Sequence, residues 1–187
     1  MDIDALIAQL RLVPAINKAW QSRVHQRGED VICQGETVPD IFILERGLIK
    51  LHYTTYDGKE WVKSFIADRG IFGSRSAQSG LPSVFTASCI EQSGIVRLPY
   101  ALFLDAVSAN PSLNIAFLAF SEWVGLKKER REYELLCLSA EQRCRLFLDD
   151  TPQLAARVSQ GDIARYLGIT PIAFSRIKKR IMLNGPA

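Results

Sequence analysis

The spacing of apolar positions changes twice along the chain and separates three kinds of structure. Apolar residues recur at helical spacing over 3–12, and from about 22 to 98 they form short runs rich in Val, Ile, Phe and Tyr. Turn residues break these runs at intervals of roughly ten, which is typical of an all-β roll or sandwich. After residue 110 the helical spacing returns. The pattern therefore predicts a short helix, a β domain and an all-helical C-terminal part.

The predicted β domain contains one strong hairpin signal and ends in a helix. Asp57–Gly58 separates two apolar runs, and this dipeptide favours the tight turn that joins antiparallel strands. A helix over Pro99–Val107 is expected to pack back on the strands. The strands are predicted at 31–33, 40–45, 48–54, 61–66, 71–73, 85–90 and 94–98.

A long helix is predicted from Pro111 to about Leu138. Asn110 is a suitable N-cap, and Pro111 suits the first helical position, which needs no N–H. The segment 127–134 mixes charges of both signs at i, i+3 and i+4. This spacing favours salt bridges on a solvated face.

The same helix is apolar on two sides. Phe117, Phe120 and Val124 form one stripe, and a heptad seam forms the other. Because both stripes must be buried, one is expected to pack on its own domain and the other on the same helix of a second subunit. The alternative is a long helix buried within a single chain. The candidate dimerisation residues are Ala116, Trp123, Leu126, Arg130 and Tyr133.

The segment Val158–Ile181 predicts two short helices joined by a tight turn. Ser159 is a good N-cap for the first helix, and Gly168 suits its end because glycine accepts a left-handed backbone. Thr170 is placed to cap the second helix, with Pro171 at its first position.

The second of these helices has an apolar face and a basic face. Phe174, Ile177 and Ile181 recur at i, i+3 and i+7, whereas small and basic residues lie on the other side. This is the layout of a helix-turn-helix, whose second helix enters the major groove of DNA. The alternative is a helical hairpin whose basic face is simply solvated. The candidate DNA-contacting residues are Thr170, Ala173, Ser175, Arg176, Lys178, Lys179 and Arg180.

A capping box marks the boundary before the last helices. Ser139 and Gln142 have its spacing, so a new helix is predicted to start there without a flexible linker. The chain is accordingly divided into residues 1–109, 110–138 and 139–187.

Composition narrows the possible functions. The formal net charge is +3, so nucleic-acid affinity has to come from the local cluster of four charges at 176–180. The two histidines and four cysteines stand apart, and no metal or other cofactor is expected. No signal peptide is expected from the acidic N-terminal segment, and no run approaches the ~20 apolar residues that span a bilayer. A cytoplasmic protein without a membrane partner is therefore expected. No nucleophile stands beside a base, and an enzyme is not expected.

The order of β-roll, long helix and helix-turn-helix resembles the Crp/Fnr family of bacterial transcription regulators. Gly35–Glu36, Asp57–Gly58–Lys59–Glu60 and Gly70–Ile71–Phe72–Gly73 match the strand and glycine-turn pattern of a cyclic-nucleotide-binding domain. Tyr166–Lys179 matches the "YLGIT…SRI.K" segment of the family's short members. The resemblance covers nearly the whole chain.

The resemblance implies both a fold and a function. The fold is α+β, with an N-terminal double-stranded β-helix (a jelly-roll-like β-roll) as effector domain, a long dimerisation helix and a C-terminal all-α helix-turn-helix domain. The function is that of a homodimeric, sequence-specific DNA-binding transcription regulator. Double-stranded DNA, a second copy of the chain and RNA polymerase are the implied partners.

The effector site departs from the family pattern. Cyclic-nucleotide binders have Gly-Glu at the start of a phosphate cassette and Arg-Ser/Thr-Ala at its end, whereas here Gly73–Ser74 and Phe85–Thr86–Ala87 stand there. An unpaired buried phosphate costs several kcal/mol, so neither cAMP nor cGMP is expected to bind usefully. The roll then binds another small effector, responds to none, or serves as a dimer scaffold. The candidate effector-binding residues are Gly73, Ser74, Arg75, Thr86 and Ala87.

The DNA-reading helix also departs from the pattern. Pro171 and Ile172 occupy positions where family members carry polar or charged residues, and with only Met182–Ala187 remaining no β-wing is expected. Arg176 matches a base-reading arginine and suits a bidentate contact to guanine, worth ~1–3 kcal/mol of discrimination. The alternative function is a ligand-sensing or protein-interaction module whose helix-turn-helix does not bind DNA specifically.

Overall fold

The predicted β-roll is present in the N-terminal half of the chain. A computed structural model describes residues 2–74 and 76–184. Within those ranges there are eight strands, all paired antiparallel. They are β1 (Ser22–His25), β2 (Asp30–Ile32), β3 (Asp40–Arg46), β4 (Leu48–Thr54), β5 (Glu60–Ala67), β6 (Gly70–Gly73), β7 (Thr86–Cys89) and β8 (Ser93–Pro99).

Two four-stranded sheets form the roll, in the orders β1-β8-β3-β6 and β2-β7-β4-β5. Their facing sides enclose an apolar cluster that includes the stacked rings of Phe42 and Phe72. The chain passes from one sheet to the other at Gly47, which has φ +105° and sits where a Cβ atom would collide with Ser93. Only glycine fits this crossing, because both the backbone angle and the close approach exclude a side chain.

Nine helices are found within the described residues. They are α1 (Ile3–Leu12), α2 (Pro14–Ala19), α3 (Ser76–Ser79), α4 (Tyr100–Ala109), α5 (Pro111–Cys137), α6 (Ala140–Asp150), α7 (Pro152–Arg157), α8 (Gln160–Tyr166) and α9 (Pro171–Asn184). The α+β fold expected from the sequence is confirmed, while β1, α2 and α3 were not predicted.

No single described helix is long and apolar enough to cross a membrane. Helices α4 and α5 together have the length and the apolar composition of a membrane span, but the chain bends by 119° at their junction.

The predicted helix caps are confirmed. The Asn110 side chain accepts from the backbone N–H of Leu113 at 3.3 Å at the start of α5. Ser139 and Gln142 form the full capping box, in which each side chain accepts from the other residue's backbone N–H.

The short α1, α2 and α4 pack with part of α5 against the first sheet and form an apolar cluster outside the roll.

Candidate DNA interface and effector region

The turn between α8 and α9 is fixed by two caps and one glycine. Ser159 Oγ accepts from the backbone N–H of Asp162 at 3.0 Å and starts α8. Gly168 then adopts φ +67° in the left-handed region. Thr170 Oγ1 accepts from the backbone N–H of Ala173 at 3.2 Å and starts α9. These local contacts set the direction of the second helix.

The inner face of α9 is held by an apolar core. Phe174 is fully buried in a cluster with Ile163 of α8 and Phe147 of α6. Ile177 and Ile181 pack against the same cluster further along the helix. The apolar face predicted from the sequence is therefore the face that anchors α9.

The outer face of α9 carries most of the candidate DNA-contacting residues. The exposed ones are Thr170, Ser175, Arg176, Lys179 and Arg180. Ala173 and Lys178 are partly buried. The Arg180 guanidinium forms an ion pair with Glu141 of α6, so its predicted phosphate contact has an intramolecular competitor.

A shallow groove beside this face includes a polar residue that the sequence did not reveal. Gln160, at the start of α8, lines the groove together with Ser175 and Lys179 of α9. Met182 and Leu183 extend the groove with apolar surface. Gln160 was missed because the spacing within α8 carries no information about which residues of α9 lie beside it.

The first helix of the pair packs against the β-roll. The Tyr166 ring of α8 lies with its centroid 5.4 Å from that of Phe65 on β5, and Leu48 of β4 is fully buried in the cluster that holds α9. Arg131 of α5 lies 4.0 Å over the Tyr166 ring and is partly buried. The prediction of a solvated face over 127–134 is therefore wrong at Arg131, because α8 covers that side of the helix.

Ion pairs join the same two parts of the chain. The Arg157 guanidinium donates to both carboxylate oxygens of Glu91 at 3.0 and 2.8 Å and to Asp68 at 2.7 Å. Lys50 Nζ of β4 lies 3.3 Å from Asp162 Oδ1 at the start of α8. Burial opposes ionisation of Asp162, but the hydrogen bond from its N-cap serine and the charge of Lys50 outweigh burial and lower the pKa of this carboxyl. The helix-turn-helix is thus docked on the roll by charges as well as apolar contacts.

Helix α5 divides its apolar residues between two sides. Phe117 and Phe120 join Phe103 of α4 in a row of aromatic contacts on the side that packs against its own domain. The other side remains exposed and contains three candidate dimerisation residues: Trp123, Leu126 and Tyr133, which are 39%, 59% and 58% exposed.

The remaining two dimerisation candidates have contacts within the chain. Ala116 packs against the cluster formed by the short helices. Arg130 pairs with Glu134 at 2.9 Å and with Asp150 of α6 at 2.6 Å. These two residues contribute less free apolar surface than the heptad spacing suggested.

The candidate effector residues surround an interior that is already filled. Phe85, at the position of the family's phosphate-binding arginine, is 3% exposed and belongs to the roll's apolar cluster. Thr86 Oγ1 accepts from the backbone N–H of Gln34 at 3.0 Å, and Ala87 is fully buried. Ser74 is also buried.

The other two candidates lie at the start of the cassette. Gly73 is exposed at the end of β6, and Arg75 lies outside the described residues. In the ranges 2–74 and 76–184, no group of three or more His, Cys, Asp or Glu side chains is placed to hold a metal ion.

Comparison with known proteins identifies the N-terminal domain and its architecture. The family model "Cyclic nucleotide-binding domain" matches residues 22–110. A 90-residue stretch, 48% of the chain, is 30% identical to the potassium channel AKT2 of rice, and the chain spans about a tenth of that channel's length. The match to the channel is thus confined to one domain.

Two further similarities cover nearly the whole chain. The fumarate and nitrate reduction regulatory protein of Escherichia coli K12 is 24% identical over 173 residues, which cover 86% of this chain and 68% of that protein. The structure of FixK2 from Bradyrhizobium japonicum superposes with a TM-score of 0.78 at 17% identity, covering 89% of this chain and 86% of that one. The chain contains a cyclic nucleotide-binding domain, and along most of its length it is similar to regulators of the Crp/Fnr family.

Proposed function

We propose that this protein is a homodimeric transcription regulator that binds DNA at specific sequences in the cytoplasm. The observation that carries the proposal is the exposed basic face of α9, which stands on a capped helix-turn-helix and is anchored on its opposite side by Phe174. A helix presented in this way can enter the major groove with its side chains toward the base edges. The similarity to Crp/Fnr regulators supports the same function. RNA polymerase is a further proposed partner, and no catalytic role is proposed.

Each of the three parts of the chain has its own proposed role. Residues 1–109 form the effector domain, 110–138 the dimerisation helix and 139–187 the DNA-binding domain. Pairing of two α5 helices would bury the exposed Trp123, Leu126 and Tyr133. The two recognition helices would then lie about one turn of DNA apart, ~34 Å, and would read a near-palindromic site.

Arg176 and Lys179 are expected to contribute differently to DNA binding. Arg176→Ala should weaken binding to a selected site by about 1–3 kcal/mol and relax specificity at one base pair, because an arginine fork pairs with guanine. Lys179→Ala should weaken binding to all sequences similarly and flatten the salt dependence, because a phosphate contact releases counterions. Fluorescence anisotropy on a site selected from random DNA, and on scrambled DNA, measures both. Equal losses for the two variants on both DNAs would contradict the assignment.

Dimerisation through α5 predicts a specific cross-link. Cys137 is exposed at the end of the heptad seam, where two-fold pairing brings it close to its own copy. A short bis-maleimide should therefore convert most of the protein to a covalent dimer on a denaturing gel. Cys137→Ser should abolish this product, since Cys89 and Cys144 are buried and the partly buried Cys33 lies in the roll, outside the α5 seam. A monomeric mass in light scattering, with no cross-linked product, would rule out this dimer.

We further propose that the effector domain does not bind cyclic nucleotides. The resemblance aligns Phe85 with the phosphate-binding arginine, and Phe85 is buried in the roll's apolar cluster. A buried phosphate without a guanidinium at this position would remain unpaired. Calorimetric titration with cAMP and with cGMP should show no binding at micromolar concentrations. Micromolar affinity for either nucleotide would overturn this part of the proposal.

One observation favours a second candidate function. Ile172, Met182 and Leu183 on α9 are 67%, 69% and 75% exposed, and exposed apolar residues beside a basic face are suited to a protein partner. In that case α9 would bind protein, and the roll would act as a ligand-sensing module. A gel shift with the promoter region of the protein's own gene separates the two candidates, because only the first predicts a retarded band that specific competitor removes.

A further inference from the structure

Four charged side chains form a closed ring between the roll and α8. Lys50 of β4 and Glu60 of β5 belong to the roll, whereas Asp162 and Arg165 belong to α8. Lys50 Nζ lies 3.3 Å from both Glu60 Oε2 and Asp162 Oδ1. Arg165 Nη1 lies 3.0 Å from Asp162 Oδ1 and 3.9 Å from Glu60 Oε2. Each carboxylate of this charge quartet therefore lies beside both cations, and the four formal charges cancel.

A buried histidine lies beside the charge quartet. His52 is 5% exposed and follows Lys50 by two residues, so the two side chains share the face of β4 that α8 covers. The Nε2 atom of His52 lies 3.7 Å from Glu60 Oε1. Its Nδ1 atom is buried and has no hydrogen-bond partner in the described part of the chain. The ring is thus enclosed with only one of its two nitrogens beside a polar group.

These surroundings disfavour the protonated ring. An imidazolium donates from both nitrogens, and its Nδ1–H would be buried without an acceptor. Glu60 already lies beside two cations, so an imidazolium would add an uncompensated positive charge to the quartet. Asp30 of β2 also attracts a proton to the ring, but its Oδ1 already accepts from Ser88 Oγ at 2.5 Å. Burial and the charge of Lys50 outweigh the attraction of the nearby carboxylates and lower the pKa of His52.

We propose that His52 makes the docking of the helix-turn-helix on the roll sensitive to pH, so that the proton is an effector of DNA binding. When α8 leaves the roll, this face of β4 meets water, and the imidazolium can be hydrated. The undocked chain therefore binds the proton more strongly, and acid favours release of α8. The effect on DNA rests on the proposed function, whereas the effect on docking does not.

The pH range of the switch follows from the ordinary pKa of histidine, 6.5. Because the pKa of His52 is depressed in the docked state, neutral His52 contributes fully to docking above 6.5, and this contribution is lost as the pH falls below that value. At pH 5.5, docking should be weaker than at pH 7.5 by up to about tenfold. Ordinary carboxyl groups remain ionised across this range, so their protonation does not contribute.

Hydrogen exchange of the full-length protein tests the effect on docking. The protection factors of α8 amides, corrected for the intrinsic pH dependence of exchange, should fall by up to about tenfold from pH 7.5 to pH 5.5. His52→Gln should abolish this fall, because glutamine does not titrate. His25→Gln is the matched control and should keep the fall, since His25 lies in the other sheet and pairs with Glu29. Constant protection in the wild type, or the same fall in His52→Gln, would overturn the inference.

Proton NMR of the imidazole Cε1–H signals follows His52 in the wild type without any substitution in its surroundings. The chain has two histidines, and the two glutamine variants assign their signals. The midpoint of His52 should lie below 6.5, and a midpoint at or above 6.5 would show that the docked state tolerates the imidazolium.

Fluorescence anisotropy on a selected near-palindromic site tests the effect on DNA. From pH 7.5 to pH 5.5, affinity should fall further in the wild type than in His52→Gln, by up to about tenfold. Equal pH dependence of specific binding in both proteins would show that the proton is not an effector. If the protein binds no DNA specifically while α8 protection still depends on His52, the proposed function fails and the pH-sensitive docking stands.

Discussion

Replacing Phe174 by alanine is expected to lower the free energy of unfolding by about 3–5 kcal/mol, the usual cost of deleting a fully buried aromatic ring. Phe174 is 0% exposed and shares its cluster with Phe147 and with Leu48 of the roll. The loss should be visible as a lower midpoint in urea denaturation. Since the ring anchors the inner face of α9, DNA binding should be lost as well, even though Phe174 itself contacts no DNA.

The matched control lies on the same helix. Ile172 is 67% exposed, and Ile172→Ala should change stability by no more than about 0.5 kcal/mol because it leaves no cavity. If the two variants unfold at the same urea concentration, Phe174 does not anchor the helix. If Phe174→Ala is destabilised but binds DNA as tightly as the wild type, the α9 surface is not the DNA-binding surface.

Local chemistry made the ends of the helices predictable. Ser139, Ser159 and Thr170 act through hydrogen bonds to backbone groups three residues away, and Gly168 acts through its own φ angle. Such signals are complete within a few residues, so the sequence contains them in full. The helix-turn-helix could therefore be located, with the correct apolar face.

Contacts between distant segments could not be derived from the sequence. In β4, Lys50 and His52 alternate with the buried Ile49 and Leu51, an alternation typical of a strand with one solvated face. That face is instead covered by α8, so His52 is 5% exposed and burial and the charge of Lys50 lower its pKa. The residues that cover it are more than 100 positions away in the chain, as the separation of 112 between Lys50 and Asp162 illustrates.

Some features of the candidate effector site could be predicted from the sequence, and others could not. The identity of residue 85 alone shows that this position carries no guanidinium. The burial of the Phe85 ring in the roll's core could be seen only in the folded structure. Lys63 is an extra residue in β5, opposite no residue of β4, and its Nζ lies 4.1 Å from the ring centroid of Phe85. A bulge shifts the strand's alternation without leaving a distinct composition, so spacing alone did not single out this lysine.

Arg157→Ala is expected to loosen the docking of the helix-turn-helix on the roll. The change removes two hydrogen bonds to Glu91, one to Asp68 and one to the carbonyl of Gly47, and it leaves two neighbouring carboxylates without their shared cation. Because both carboxylates are partly solvated, the expected loss is about 1–2 kcal/mol. Hydrogen exchange should become faster in α7 and α8. Arg145→Ala is the matched control, since Arg145 pairs with Glu141 within α6.

The same contact makes docking dependent on pH. The hydrogen bond and charge of Arg157 lower the pKa of Glu91 below its usual value. A carboxyl with a depressed pKa stabilises the structure above its ordinary value, and this contribution is lost as the pH falls through the lowered value. Acidification should therefore speed exchange in α7 and α8 of the wild type. Arg157→Ala should lack most of this pH dependence, and an unchanged profile would show that Glu91 does not control docking.

The docking of the helix-turn-helix on the roll also predicts how Arg157→Ala changes the affinity for DNA. Contacts between α8 and the roll fix the position of α9 relative to α5, and hence the separation of the two recognition helices in the proposed dimer. A loosened domain binds a single half-site as before but loses part of the advantage of engaging both half-sites together. Arg157→Ala should thus weaken binding to the full near-palindrome by up to about tenfold while leaving half-site affinity unchanged. Tighter binding to the full site would mean instead that the docked arrangement holds the recognition helices away from their DNA-binding separation.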